Sequence, residues 1–393
     1  MKKFSDNRKF RTGAICVLAG MALTLGAVVL GFGGVKGFAH AAKFASVLRI
    51  IRSDFVGDYD LDDITDAALL SAVDSLDDDW SYYMDTASYD DYQDYSANRY
   101  QGIGVTITQD EETGGFEIMA LTKDGPAQLA GLQVGEIILA VDGISVTGGT
   151  SDDLRALIQA DFGREAIVTV LRDDGQERDV AVSCEEIYTS PVTYELLDGH
   201  VGYVAITNFR AGAGSMAIAA VEALTEEGAD SFVFDVRDNP GGQVTEMVEI
   251  LDYLLPEGDL FIRANKRGHE VVEKSDPDCV EAPMAVLVNA DSYSAAEFFA
   301  AALRDYHWAT VVGQPTTGKA RSQVTFELWD GSAVHISKYS YLTPSRTDLY
   351  ETGGLIPDVA VEMTGEELAQ YYSGWMELAY DPQVQAAIDI LGT

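Results

Sequence analysis

Between residues 200 and 363, short apolar runs alternate with amphipathic ones, and this rhythm limits the possible folds more than any other feature of the chain. Val201-Gly-Tyr-Val-Ala-Ile206 reads as a strand and residues 213–227 as a helix. Ser231 to Val236 reads as a buried strand, with residues 243–254 as the helix after it. Ala285 to Val288 is a further buried strand, followed by a helix over 295–306. This is the βα pattern of an α/β domain. Residues 323–341 alternate as antiparallel strands do, and residues 365–393 read as helical.

Residues 99–185 differ in character. Five short strand-like runs (103–108, 116–121, 137–141, 166–172 and 179–183) are separated by Gly-Gly, Asp-Gly and Gly-Gln turns. Short helices are expected at 127–130 and 151–160. That composes a small, mostly β module. Ahead of it, Val47 to Phe55 and Ala67 to Val73 have helical apolar spacing, with Asp63 and Thr65 as candidate caps, and residues 75–84 form an aromatic, acidic stretch. The expected organisation is multidomain α/β: a targeting segment over 1–43, a helical region over 44–98, the β module over 99–185, the α/β core over 186–364 and a helical tail over 365–393.

The formal net charge is −38, which makes nucleic acid an unlikely partner for the folded part, and anionic lipid likewise. The acid is dispersed, as in Asp77-Asp-Asp79, and reads as solvated surface; no stretch has EF-hand ligand spacing. At the N-terminus, Lys2, Lys3, Arg8, Lys9 and Arg11 lead into an apolar run from Gly13 to Gly34, followed by Ala39-His-Ala41. This pattern is a signal anchor or a cleaved signal peptide. The run of about 20 residues is long enough to span a bilayer, and the leading charge places the rest of the chain outside. The expected state is therefore single-pass membrane attachment with the folded part extracytoplasmic, or secretion after cleavage. Ile15 before Cys16 argues against lipid attachment, and Cys184 and Cys279 lie too far apart in sequence to predict a pairing.

Three segments carry chemistry. In Val288-Asn-Ala-Asp-Ser-Tyr-Ser-Ala-Ala-Glu297, a buried strand runs through small hydroxylic residues into a helix, so a serine here sits where free N–H groups and the helix dipole favour an anion. Taken alone, Ser292 and Ser294 read better as helix caps than as a nucleophile. In Gly313-Gln-Pro-Thr-Thr-Gly-Lys319 the spacing is wrong for a phosphate loop, which leaves a surface lysine or a buried one whose lowered pKa lets it act as a base. In Asp235-Val-Arg-Asp-Asn-Pro-Gly-Gly242, two glycine amides end a strand and can approach a substrate closely.

Together these segments resemble the carboxyl-terminal processing peptidases, or tail-specific proteases, across roughly residues 46–363. Lys319 follows Ser294 by 25 positions and Gln323 follows Lys319 by four, as in that family. Thr343-Pro-Ser and Gly354-Leu-Ile-Pro-Asp358 resemble its closing motifs. The resemblance implies a Ser-Lys serine protease with Ser294 as nucleophile, Lys319 as general base and Gln323 orienting the lysine. It also implies an oxyanion hole from the Ala295 amide with that of Gly241 or Gly242. The 99–185 module resembles a PDZ domain through Gly125-Pro-Ala-Gln-Leu-Ala-Gly131 and Val134-Gly-Glu-Ile-Ile-Leu-Ala-Val-Asp-Gly143. Gly102, Ile103, Gly104 and Val105 stand where such domains bind a carboxylate, with the substrate tail added as a strand. The implied partners are protein or peptide substrates with free C-terminal tails, and the terminal helical regions offer a homodimer surface. No metal, nucleotide or other cofactor is implied.

Three departures bear on the chemistry. Tyr293 replaces a small residue before the nucleophile, Ala320-Arg321 follows Lys319 where glycine is frequent, and Asp238 stands where asparagine is frequent. An anionic Asp238 close to Lys319 would keep the lysine protonated. Of His40, His200, His269, His307 and His335, none sits in a loop suited to a Ser-His-Asp triad. The rival from another class is a catalytically silent scaffold that captures C-terminal tails.

Overall fold

The computed structural model describes residues 21, 24, 26–27, 29–160, 162–172 and 174–392. They fall into two compact units, one ending at Val73 and one beginning at Asp74. The first carries the helix Val35–Asp54 and nearly all of the helix Leu61–Asp74. The second of these is capped by Asp60, whose carboxylate accepts the Asp62 N–H at 2.7 Å. The expected caps do other things: Thr65 donates its hydroxyl to Leu61 O within the helix, and Asp63 lies in its acidic first turn. The apolar run 13–34 lies largely outside the described residues. Among the described residues no helix is long and apolar enough to cross a membrane.

In the second unit, the β module is an antiparallel sheet ordered Val105–Gln109, Phe116–Leu121, Ile137–Val141, Glu165–Leu171, Glu177–Ser183. Along Glu165–Leu171 every second side chain (Ala166, Val168, Val170) is buried, against Ile118, Ile138, Leu154 and Ile158. Each such valine, leucine or isoleucine contributes about 1.5–3 kcal/mol of burial. The helix Ser151–Gln159 is fixed at its start by a reciprocal cap: Thr150 Oγ1 accepts the Asp153 N–H and Asp153 Oδ2 accepts the Thr150 N–H. Val105–Gln109 is one of the sheet's two edge strands.

The α/β core has six strands in the order Val192–Leu197, Val201–Ile206, Ser231–Asp235, Met284–Val288, Ala309–Gly313, Val359–Ala360. All pairs but the first are parallel. Ser231–Asp235 and Met284–Val288 are buried at every residue, which explains the unbroken apolar runs Phe232 to Phe234 and Met284 to Val288. The helices Ala213–Glu227, Val244–Leu254 and Ala295–Asp305 share one core cluster with Phe232, Phe234 and Val286. On the opposite face, Val384 and Ala387 of the helix Pro382–Leu391 pack with Val201, Tyr203, Val233, Ala285 and Leu287. The terminal segment, which reads in the sequence as a separate helical tail, therefore ends in a helix that covers one face of the central sheet.

A second sheet joins Tyr82–Met84, Ala333–Leu342, Gly258–Asn265 and Glu270–Ser275, with Arg321–Glu327 paired to Ala333–Leu342. The strand Tyr82–Met84 falls in the stretch that reads as part of a helical region. Its residues pair with Ala333 to His335 instead.

Candidate active site

The loops that leave the C-terminal ends of the parallel strands converge on one cleft, the place where open α/β sheets collect ligands. They carry Gly241 and Gly242, Ser294 and Lys319, which all line one cavity of about 550 Å³ together with Gln323 and Trp80.

The structure separates the two serines that the sequence leaves equivalent. Ser292 is fully buried, donates its hydroxyl to Val236 O at 2.7 Å and accepts the Asn289 N–H at 3.0 Å, so it braces the loop. Ser294 lines the cavity at the head of the helix Ala295–Asp305 and adopts φ 58°, ψ −123°. A non-glycine residue held there costs about 1–3 kcal/mol, and such strain persists where surrounding contacts over-determine the backbone.

One of those contacts is Glu297, which the sequence shows only as the end of a Ser/Ala run. Its carboxylate is fully buried. It accepts the Ser294 N–H at 2.9 Å, the Lys319 N–H at 2.8 Å, the Gly318 N–H at 2.6 Å and the Thr316 hydroxyl. Burial raises its pKa, and these bonds oppose the rise. A single carboxylate thus ties the serine's backbone to the lysine's loop.

Lys319 Nζ lies 3.8 Å from the centre of the Trp80 ring and 5.4 Å from that of Tyr293, and the two rings are themselves tilted together at 5.8 Å. Burial under this aromatic cover draws the lysine from the ordinary 10.5 down to about 8, against the opposing pull of Glu297 and Asp78. Asp238, the charge of concern in the sequence, is otherwise engaged. It accepts from Asn289 Nδ2 at 2.8 Å and from the Tyr371 hydroxyl at 2.6 Å, and it is not among the charges acting on Lys319. The other departures also find places. Ala320 is buried in the core, and Arg321 donates to Ser340 Oγ at 2.5 Å and stacks on Tyr350.

The glycine pair is explained by crowding. A Cβ on Gly241 would sit 2.8 Å from Ser294 Cβ and 2.9 Å from the Ala295 nitrogen, at a φ of +84°. The Gly241 N–H is committed to Asn239 Oδ1 at 2.8 Å, and its carbonyl accepts the Phe209 N–H at 2.8 Å. The Gly241 amide is thus already engaged, whereas Gly242 follows it on the wall of the same cavity, near the start of the helix Ala295–Asp305.

Gln323 lines the same cavity and donates its amide N–H groups to Arg321 O at 3.0 Å and Ser337 Oγ at 3.1 Å. That anchoring leaves its Oε1 as the atom with which it would meet a lysine ammonium. His335 also reaches the cavity, a position its alternating strand gave no sign of. Its ring stacks on Tyr82 at 4.8 Å, its Nδ1 pairs with the Thr325 hydroxyl at 2.8 Å, and burial, helped by Lys319, drives its pKa down to about 4. It is neutral at ordinary pH.

In the β module, Gly102, Ile103, Gly104 and Val105 line a separate cavity of about 170 Å³ together with Leu154 and Ile158 of the Ser151–Gln159 helix. The Ile103 and Gly104 carbonyls are taken by the Ala127 and Thr122 N–H groups, at 2.8 and 2.9 Å. What this loop has left to offer a ligand is N–H donors.

The family model of peptidase family S41 matches residues 200–361, and that of the PDZ domain matches residues 117–172. Over 334 residues the chain is 31% identical to the carboxyl-terminal-processing protease of Synechocystis, covering 83% of this chain and 77% of that protein. The chain belongs to the carboxyl-terminal-processing proteases of family S41. This serine-type peptidase is also 28% identical over 323 residues to the carboxy-terminal processing protease CtpA of Bacillus subtilis, covering 82% of this chain and 69% of that one. The solved photosystem II D1 C-terminal processing protease aligns with a TM-score of 0.48 at 26% identity, over 78% of this chain and 84% of that one. The two family models and the strand order described above make this chain mixed α/β, with a PDZ domain and an S41 protease core.

Proposed function

We propose that the chain is an exported endopeptidase that cuts proteins near their C-termini by a Ser-Lys acyl-enzyme mechanism, with the PDZ domain holding the substrate tail. The observation that carries this reading is the pairing, in one cavity, of a backbone-strained Ser294 with a Lys319 whose pKa burial has lowered to about 8. Neutral Lys319 takes the proton as Ser294 Oγ attacks the carbonyl carbon. The Ala295 and Gly242 N–H groups receive the developing oxyanion. As the tetrahedral species collapses, the C–N bond breaks and Lys319 returns the proton to the leaving amine. Water then attacks the acyl-enzyme, activated by the same lysine, and frees the serine. Gln323, held by Arg321 and Ser337, limits where the ammonium can turn.

Tail capture is supported by the edge strand Val105–Gln109 beside the 102–105 loop, an arrangement suited to adding a peptide as a further strand. Export is supported by the basic residues 2–11 ahead of the apolar run.

Ser294→Ala and Lys319→Ala should each lower the degradation rate of an unfolded protein by on the order of 10⁴-fold or more. Wild-type turnover by either variant sinks the assignment. If wild-type enzyme is never labelled by a serine-reactive probe, the scaffold reading takes its place.

A further inference from the structure

The cavity that holds Ser294 contains a cation for which the mechanism has no use. Arg210 lines it and is half-buried. Its backbone is fixed with respect to the oxyanion loop: the Phe209 N–H donates to Gly241 O at 2.8 Å, and the Phe209 carbonyl accepts the Gln243 N–H at 2.6 Å. Its own N–H is held by Asn208 Oδ1 at 2.9 Å. The side chain is held flat, with the guanidinium carbon 3.2 Å from the centre of the Tyr95 ring.

Among the described residues no carboxylate pairs with it; the groups acting on its charge are the tyrosines Tyr95 and Tyr293. The other arginine lining the cavity, Arg263, is paired with Glu273. Asp94, next in sequence to the Tyr95 on which Arg210 rests, is taken by Arg99 at 3.2 Å. The one carboxylate among the lining residues, Asp79, makes no ion pair with Arg210. The chain has 64 acidic and 26 basic residues, so leaving a half-buried guanidinium without a carboxylate runs against its composition. Burial disfavours the charge, and arginine cannot shed its proton to escape that cost. A planar donor fork that rests on Tyr95 and has no carboxylate partner is suited to a carboxylate arriving from outside.

We propose that Arg210 is a specificity-determining residue that binds a carboxylate carried by the substrate near the scissile bond. That carboxylate is either the substrate's own C-terminus or an Asp or Glu side chain. The inference rests on the Ser294 reading, because it places the peptide in that cavity.

The test uses the full chain and one fluorogenic peptide in three forms: free C-terminal acid with Asn beside the cleaved bond, C-terminal amide with Asn, and C-terminal amide with Asp. Wild type should favour at least one carboxylate form over the amide with Asn by about 10- to 100-fold in kcat/KM. In Arg210→Gln that ratio should fall toward one, and Arg210→Lys should retain part of it. Preference for the free acid identifies the α-carboxylate as the ligand, and preference for Asp identifies a side chain. Equal rates on all three peptides in wild type overturn the proposal. So does a preference that survives Arg210→Gln, which would belong to the 102–105 loop or another site. Residual cleavage by Ser294→Ala, measured alongside, would instead fault the nucleophile assignment, so the two failures are distinguishable.

Discussion

Arg237 and Lys319 are two cations set in loops at the same end of the same sheet, and burial acts against the charge of both. Arg237 is given partners. Its guanidinium binds Asp235, Asp381 at 2.8 Å and Gln383 Oε1 at 3.0 Å, and it lies over the Tyr371 ring. Burial pulls its pKa down, but Asp235 and Asp381 more than cancel that, so the net shift is upward. Lys319 receives aromatic faces and distant charge instead, and its pKa falls to about 8. One cation is locked on to hold the fold together, including the segment that leads into the Pro382–Leu391 helix. The other is left close to losing its proton. The difference lies in whether the fold supplies a carboxylate within hydrogen-bond reach.

The strongest way to break this contrast is by stability. Arg237→Met strands Asp235 and Asp381 as buried, unpaired charges and should cost about 3–5 kcal/mol. Lys319→Met removes a charge that the fold holds at a penalty, so its melting temperature should hold or rise while activity is lost. Equal destabilisation by the two substitutions, measured by denaturant titration, would erase the distinction.

A second test is by pH. Below about 8 Lys319 is an ammonium and, on the proposed mechanism, cannot accept the serine proton, so kcat/KM should fall roughly tenfold per pH unit below an acid limb near 8. The sign for stability is set by the same shift. Between about 8 and 10.5 the unfolded chain carries the proton and the folded one does not, so this group's contribution to stability rises across that window. The difference between wild type and Lys319→Met, followed by thermal denaturation, should show that rise. A limb near the ordinary lysine value would show that the aromatic cover does not act as described.

The smallest effect sharpens the role of the cover. Trp80→Leu keeps Lys319 out of water but removes the ring face that favours its charged form. The acid limb should move down by about half a unit to one unit. An upward shift would mean that the indole's main contribution is to exclude water.

Much of this was legible in the sequence, for identifiable reasons. The unbroken apolar strands named the α/β core, and the intervals from Ser294 to Lys319 to Gln323 singled out residues that the fold brings to one cavity. What stayed hidden depends on partners far apart in the chain. Nothing in the linear motifs marks Trp80 or Arg210, which the Tyr82–Met84 strand and the Phe209–Gly242 bridge bring to the cavity wall. Asp238 looked threatening because linear motifs do not show that Asn289 and Tyr371 already hold it. The closing helix reads as a tail because its amphipathic pattern does not say which sheet it covers.

Glu297 gives the 25-residue interval a different meaning. The chain between Ser294 and Lys319 runs out along a helix and back along a strand, yet its two ends hang from the same carboxylate. The interval is then a loop closed at its base, and its length is incidental. An insertion at the far turn, around His307, should leave Ser294 and Lys319 in register as long as the strand returns its loop to that carboxylate. A change at Glu297 would shift both partners at once, with no length of chain between them altered.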